Sequence, residues 1–161
     1  TRGAVGDPGP WTAMTGIRPR SLTAALAAEP ASVQERWFAN LYLLKPVIFV
    51  TFAGFWLATA FVSLGPGYGL GLEIMRKSPA APLAEAGVIA GGLADLAIGM
   101  AIAVRRTTRG GLLAALALAL GYLLIGSALR ADLWLEPLGP MTKIFPIAAL
   151  NLVALAILED R

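Results

Sequence analysis

Four side chains in this sequence carry chemistry at places where apolar residues would be ordinary: Asp95, Asn151, Glu85 and Lys143. Asp95 is the most pointed. Gly87, Gly91 and Gly99 share its spacing of four, so all four positions lie on one face of a helix. Small residues at that spacing let a second helix approach closely, which places the carboxyl between helices and not against lipid. Counting from Leu83 at 1.5 Å per residue, the acid lies roughly 18 Å along its apolar run. A carboxyl group at such a depth is costly unless paired or protonated. It can relay protons, or hold an ion or a headgroup. It can also simply join two helices by a hydrogen bond, and the absence of a chain of titratable neighbours favours that plainer role.

Asn151 is the natural partner for Asp95, being roughly 15 Å along the last apolar run from Met141 and so at a similar depth. Tyr122, Ser127, Thr51 and Thr59 are further polar residues within reach of the same helices. Glu85 and Lys143 belong near one end of a bundle, where they can pair with each other or with Glu136; a lysine there can also snorkel to the interface without a partner. Arg105, Arg106 and Arg109 can meet anionic lipid, although control of topology is sufficient reason for them.

The composition narrows the chemistry sharply. The chain has no Cys and no His. Thiolate and imidazole metal sites, His-ligated haem and His-dependent nucleophile arrangements are therefore unavailable to it. The glycines at 65, 67, 69 and 71 follow an apolar run and lack the GxGxxG register of a nucleotide cradle. No catalytic, cofactor-binding or metal-binding residue is expected, and this chain alone is not expected to be an enzyme. Of 161 residues, 57% are hydrophobic and 14% charged, against about 25% charged in soluble domains. With a mean hydropathy of +0.71, the natural solvent for the chain is lipid. No basic run suggests nucleic acid.

These residues must be positioned by membrane helices. Apolar runs at 46–64, 83–104, 110–129 and 141–158 are each close to the roughly 20 residues needed to cross hydrocarbon. The expected fold is all-α, an integral-membrane four-helix bundle over 32–161. Ser32 and Glu35 form a capping box, and Val33, Trp37, Leu41 and Leu44 follow at helical spacing. That pattern predicts a short interfacial amphipathic helix before a first span that begins at Pro46; the plainer reading is an extension of the first span itself. Residues 65–82 are too interrupted to span, with room for a short helix from Tyr68 to Lys77. Residues 1–31, with four prolines, read as an extended linker or the tail of an upstream domain. With four spans, nine of the thirteen Lys and Arg fall on the side of the termini and four on the other, which predicts both termini in the cytoplasm of a bacterial-type inner membrane.

The chain resembles the DoxX-like membrane domain found at the C-terminus of certain short-chain dehydrogenase or epimerase-type fusion proteins. The resemblance lies in TGIRPRSL at 15–22, EPASVQERWFANLYLLKP at 29–46, FVSLGPGY at 61–68, the Gly91-to-Asp95 region, EPLGPMTKIFPI at 136–147 and LVALAILEDR at 152–161. It implies a four-helix membrane domain and an upstream Rossmann domain able to use NAD(P). Small DoxX-type subunits of quinone-linked oxidases imply a second possibility. The expected function is thus a membrane anchor or accessory domain that docks a soluble oxidoreductase-type domain or a larger membrane complex. The alternative is a small subunit of a respiratory or photosynthetic quinone-linked electron-transport assembly, or a lipid- or quinone-binding module. Catalytic residues are not transferred by the resemblance. Where relatives often carry His, this chain has Asn151, which weakens a proton relay.

Overall fold

The computed structural model describes residues 6–158, which divide into two compact units between Asn40 and Leu41. In the N-terminal unit, Asp7 accepts the Gly9 N–H at 2.9 Å as the chain enters helix α1, Gly9–Thr15. Gly16 stops it in the left-handed region at φ 69°, a backbone state that glycine adopts without a Cβ clash. Ser21 accepts the Ala24 N–H at 3.2 Å and starts α2, Leu22–Ala28. Neither helix buries a residue. The extended linker expected here therefore contains two short, locally capped helices.

Helix α3 runs from Val33 to Leu64. Its start is the capping box read from the sequence: Ser32 N–H donates to Glu35 Oε2 at 2.6 Å, and Glu35 N–H to Ser32 Oγ at 3.2 Å. The separate interfacial helix and a first span starting at Pro46 are not found. Pro46 lies inside one continuous helix, so the plainer reading holds. Proline withholds an N–H from the carbonyl four residues back, a loss that helices of membrane proteins tolerate where neighbouring groups take up the freed carbonyl.

The second unit contains the rest of α3 and four more helices: α4, Tyr68–Arg76; α5, Ala84–Ala103; α6, Thr108–Leu129; and α7, Ile144–Ala156. The short α4 stands where the sequence left room for one. Short 3₁₀ turns at Ala81–Leu83 and Ala131–Trp134 lead into α5 and out of α6. Helix α5 packs on α6, α6 on α7 and α4 on α5. Helices α3, α5 and α6 are long and apolar enough to cross a membrane. The fourth expected span is realised as a helix of only 13 residues. Gly139, at φ 58°, and Pro140 hold the chain in turns, and the helix starts at Ile144 instead of Met141. It nonetheless runs back along α6: Met141 lies beside Gly126, and Asn151 reaches the Leu112 carbonyl.

Close approach depends on the glycines. A Cβ at Gly99 would stand 2.8 Å from the Leu57 side chain and 3.0 Å from its backbone nitrogen, so α3 and α5 nearly touch there. The α5–α6 turn is closed by threonines. Thr107 Oγ1 donates to the Ala101 carbonyl at 2.8 Å, and Thr108 Oγ1 to Ile102 and Val104 at 3.1 and 3.0 Å. These bonds supply carbonyls at the end of α5 that have no intrahelical donor. The core between α3, α5, α6 and α7 is Phe52, Ala53, Trp56, Ile98, Ile102, Leu112, Ala115 and Ala154.

Candidate functional site

Asp95 is 2% exposed and faces the inside of the bundle, as its glycine-lined face requires. Its partner is Tyr122 of α6, whose hydroxyl donates to Asp95 Oδ1 at 3.3 Å. Gly91 makes the approach possible: a Cβ there would sit 3.2 Å from the Tyr122 hydroxyl. Gly87 does the same for Met75 of α4, and Gly99 for Leu57 of α3. The glycine stripe therefore seats three different elements, not one partner helix.

Asn151 does not meet Asp95. It is 1% exposed, and its Nδ2 donates to the Leu112 carbonyl at 3.1 Å. The two residues engage α6 ten residues apart, Asp95 at Tyr122 and Asn151 at the Leu112 carbonyl, and α7 packs on α6 and not on α5. Asn151 Oδ1 and the indole Nε1 of Trp56 are buried without a hydrogen-bond partner among the described residues. A donor and an acceptor left unpaired in the core each carry a desolvation cost of about 1–3 kcal/mol.

Glu85 and Lys143 also remain apart. Glu85 accepts the Tyr68 hydroxyl at 3.5 Å, while Lys143 is exposed and makes no ion pair with Glu85 or Glu136 among the described residues. Desolvation first, and then the Glu85 carboxylate, raise Tyr68 above its usual value. The ion pairs formed near that end are Glu73–Lys77 at 2.7 Å and Arg130–Asp132 at 2.6 Å. Asp132 takes Nε and Nη2 of Arg130 side by side, and Nη1 donates to the Ile74 carbonyl at 3.0 Å. Arg130 thereby ties the end of α4 to the turn after α6. Hydrogen bonding from Arg130 holds the Asp132 carboxyl below its usual range.

Beneath this clamp lies a pocket of about 380 Å³. Phe55, Trp56 and Thr59 of α3 form one wall, and Ile74, Met75 and Ser78 at α4 another. Ala119, Tyr122, Ile125, Gly126 and Leu129 of α6 face Pro140, Met141, Ile144 and Ile147 on and before α7, with Arg130 and Leu133 at one end. The volume is within the range of small-molecule sites, roughly 300–1,000 Å³. No single segment of the sequence announces it, since its walls come from four helices and two turns.

A family model described as DoxX-like family matches residues 53–152, well over half of the chain. The chain belongs to the DoxX-like family. No curated protein and no solved structure matches it. The matched stretch of this DoxX-like chain includes Asp95, Tyr122, Asn151 and the whole pocket lining. Of the residues singled out in the sequence, only Tyr122 joins the acid to the pocket wall; Asp95 stands behind it, Asn151 braces α6 against α7, and Glu85 and Lys143 are elsewhere. Sequence reasoning missed Arg130 and Trp56. An arginine directly after an apolar run reads as a topology signal, and a tryptophan inside one reads as core. Among the described residues, no group of acidic side chains could hold a metal ion.

Proposed function

We propose that this DoxX-like chain is an accessory membrane domain that holds a lipid-soluble molecule, of lipid or quinone type, within its helix bundle. The observation that carries this reading is the apolar pocket walled by α3, α4, α6 and α7. Its apolar walls suit a molecule that reaches it from the bilayer. The same domain would anchor a soluble oxidoreductase-type domain or dock to a larger membrane complex, and so bring the bound molecule to chemistry performed elsewhere. Exposed Trp11, Met14, Ile17, Leu22 and Leu26 in the N-terminal unit give the docking role an apolar surface to use. Placement in a bacterial-type inner membrane with both termini cytoplasmic belongs to this proposal and rests on the arginine bias.

The test is to purify the chain in mild detergent and analyse it by native mass spectrometry for retained lipid or quinone. A stoichiometric bound species, lost when Thr59→Phe fills the pocket, is the expected result. A chain that carries no adduct, and takes none up from added lipid extract or ubiquinone analogue, overturns the reading.

A further inference from the structure

The hydrogen-bond inventory of the pocket says more than its apolarity. Each hydroxyl in its lining spends its proton within the protein. Thr59 Oγ1 donates to Phe55 O at 2.9 Å, Ser78 Oγ to Met75 O at 2.7 Å, and the Tyr122 hydroxyl to Asp95. Trp56 Nε1 has no partner among the described residues, but it is also buried, so it lies behind the wall and not in it. The body of the pocket thus offers no free donor to a carbonyl, and a carbonyl buried there would lose its hydrogen bonds to water or headgroup without replacement.

The mouth is different. Arg130 has five N–H groups and commits three of them, to Asp132 and to Ile74 O, leaving two. Its charge is matched by the Asp132 carboxylate, and the field of Glu136 also reaches it. The mouth therefore has donors to offer but little net attraction for an anion. Dimensions supply the third constraint. Along α6 the lining runs from Ala119 to Arg130, about 16 Å at 1.5 Å per residue. That length accepts an extended alkyl chain laid along α6, with its polar end at Arg130.

Taking the pocket as the ligand site proposed above, we infer that its occupant is an amphiphile with an uncharged head, inserted tail first, with the head at Arg130 and the chain end beside Trp56. A quinone fits only with its ring at the mouth and its chain inside.

The test uses the full chain with Trp11, Trp37 and Trp134 changed to Phe, so that Trp56 alone fluoresces. Three probes are titrated: 12-bromododecanol, 2-bromododecanol and 12-bromododecanoate at neutral pH. Saturable quenching of Trp56 by the first is expected, with the second binding competitively but quenching several-fold less. The carboxylate should bind at least 10-fold more weakly than the alcohol. Asp132→Asn, which removes the charge matched to Arg130, should narrow that gap to under about 3-fold. Thr59→Phe should abolish saturable quenching by every probe. Equal quenching from both bromine positions, or a carboxylate that binds as well as the alcohol, would overturn the tail-first, uncharged-head assignment while leaving the pocket a ligand site. Absence of saturable binding by all three would overturn the pocket reading itself.

Discussion

Gly110 and Gly111 are neighbours at the start of α6, and the structure gives them opposite fates. A Cβ built on Gly110 meets nothing within 4 Å. One built on Gly111 stands 2.9 Å from the Ile102 nitrogen and 3.0 Å from Ala101 C and Cβ, where ordinary contact begins at 3.4 Å. The obstacle is backbone of α5 and cannot rotate away. Relieving an overlap of about half an ångström means parting the two helices beside a turn that Thr107 and Thr108 hold shut, and overpacking of this kind costs about 1–3 kcal/mol. Replacing a helical glycine returns at most about 1 kcal/mol in either case, less in a first turn. Gly110→Ala should thus be neutral or slightly stabilising and Gly111→Ala destabilising, a separation of about 2 kcal/mol between adjacent positions. Reversible unfolding by sodium dodecyl sulfate in mixed micelles, followed by far-ultraviolet circular dichroism, measures the difference. If Gly111→Ala is as harmless as Gly110→Ala, the close approach of α5 and α6 at this turn is wrong.

Three further outcomes follow from the same geometry. A double-mutant cycle joining Asp95→Asn and Tyr122→Phe should give a coupling of about 0.6 kcal/mol, and no more than about 1.7, as for interhelical hydrogen bonds in membranes; coupling of Asp95 to Asn151 in place of Tyr122 would contradict the observed pairing. The Asp132 carboxyl is held below its usual range by Arg130, so the stabilisation it lends is complete above the ordinary value of 3.8 and is lost as pH falls through the lower folded value. Acid titration of unfolding below about pH 4 should accordingly show a smaller slope in Asp132→Asn than in the wild type, and identical slopes would remove the pair from the stability of that end. Reporter fusions at Thr107 and Ser78 should lie on opposite sides of the membrane, since α5 separates them; the same side for both would break the topology.

What could be read in advance was whatever depends on neighbours along the chain. The capping box at Ser32 and Glu35, the short helix after Gly67 and the apolar runs of α5 and α6 are local patterns. The burial of Asp95 followed from its glycine spacing, because a stripe of small residues has to face protein. What could not be read depends on direction around a helix axis. Depth arithmetic brought Asn151 level with Asp95, but the two meet α6 ten residues apart, and the packing order presents Asn151 to the Leu112 carbonyl. Pro46 misled for a related reason: proline interrupts a helix in water, where freed groups and strain favour an end, whereas the apolar residues on both sides of it continue one helix here. The pocket was illegible because it is bounded by residues as distant as Phe55 and Ile147, each of which alone resembles ordinary lipid-facing or core material.

The 13 residues of α7 span about 20 Å, whereas the hydrocarbon of a typical bilayer is about 30 Å thick. The three longer helices, of 32, 20 and 22 residues, are each long enough to cross that thickness, so the shortfall falls on the α7 flank. Lipid beside α7 must compress or let headgroups sink, at a cost of fractions of a kcal/mol per ångström. The larger part of the missing length is at the start of α7, where Pro140 and Met141 border the pocket. Thinning of the bilayer at that end would bring the headgroup plane closer to the Arg130 end of the pocket. A molecule with its chain in the hydrocarbon and its polar end at the surface would reach the pocket from this flank without leaving the membrane.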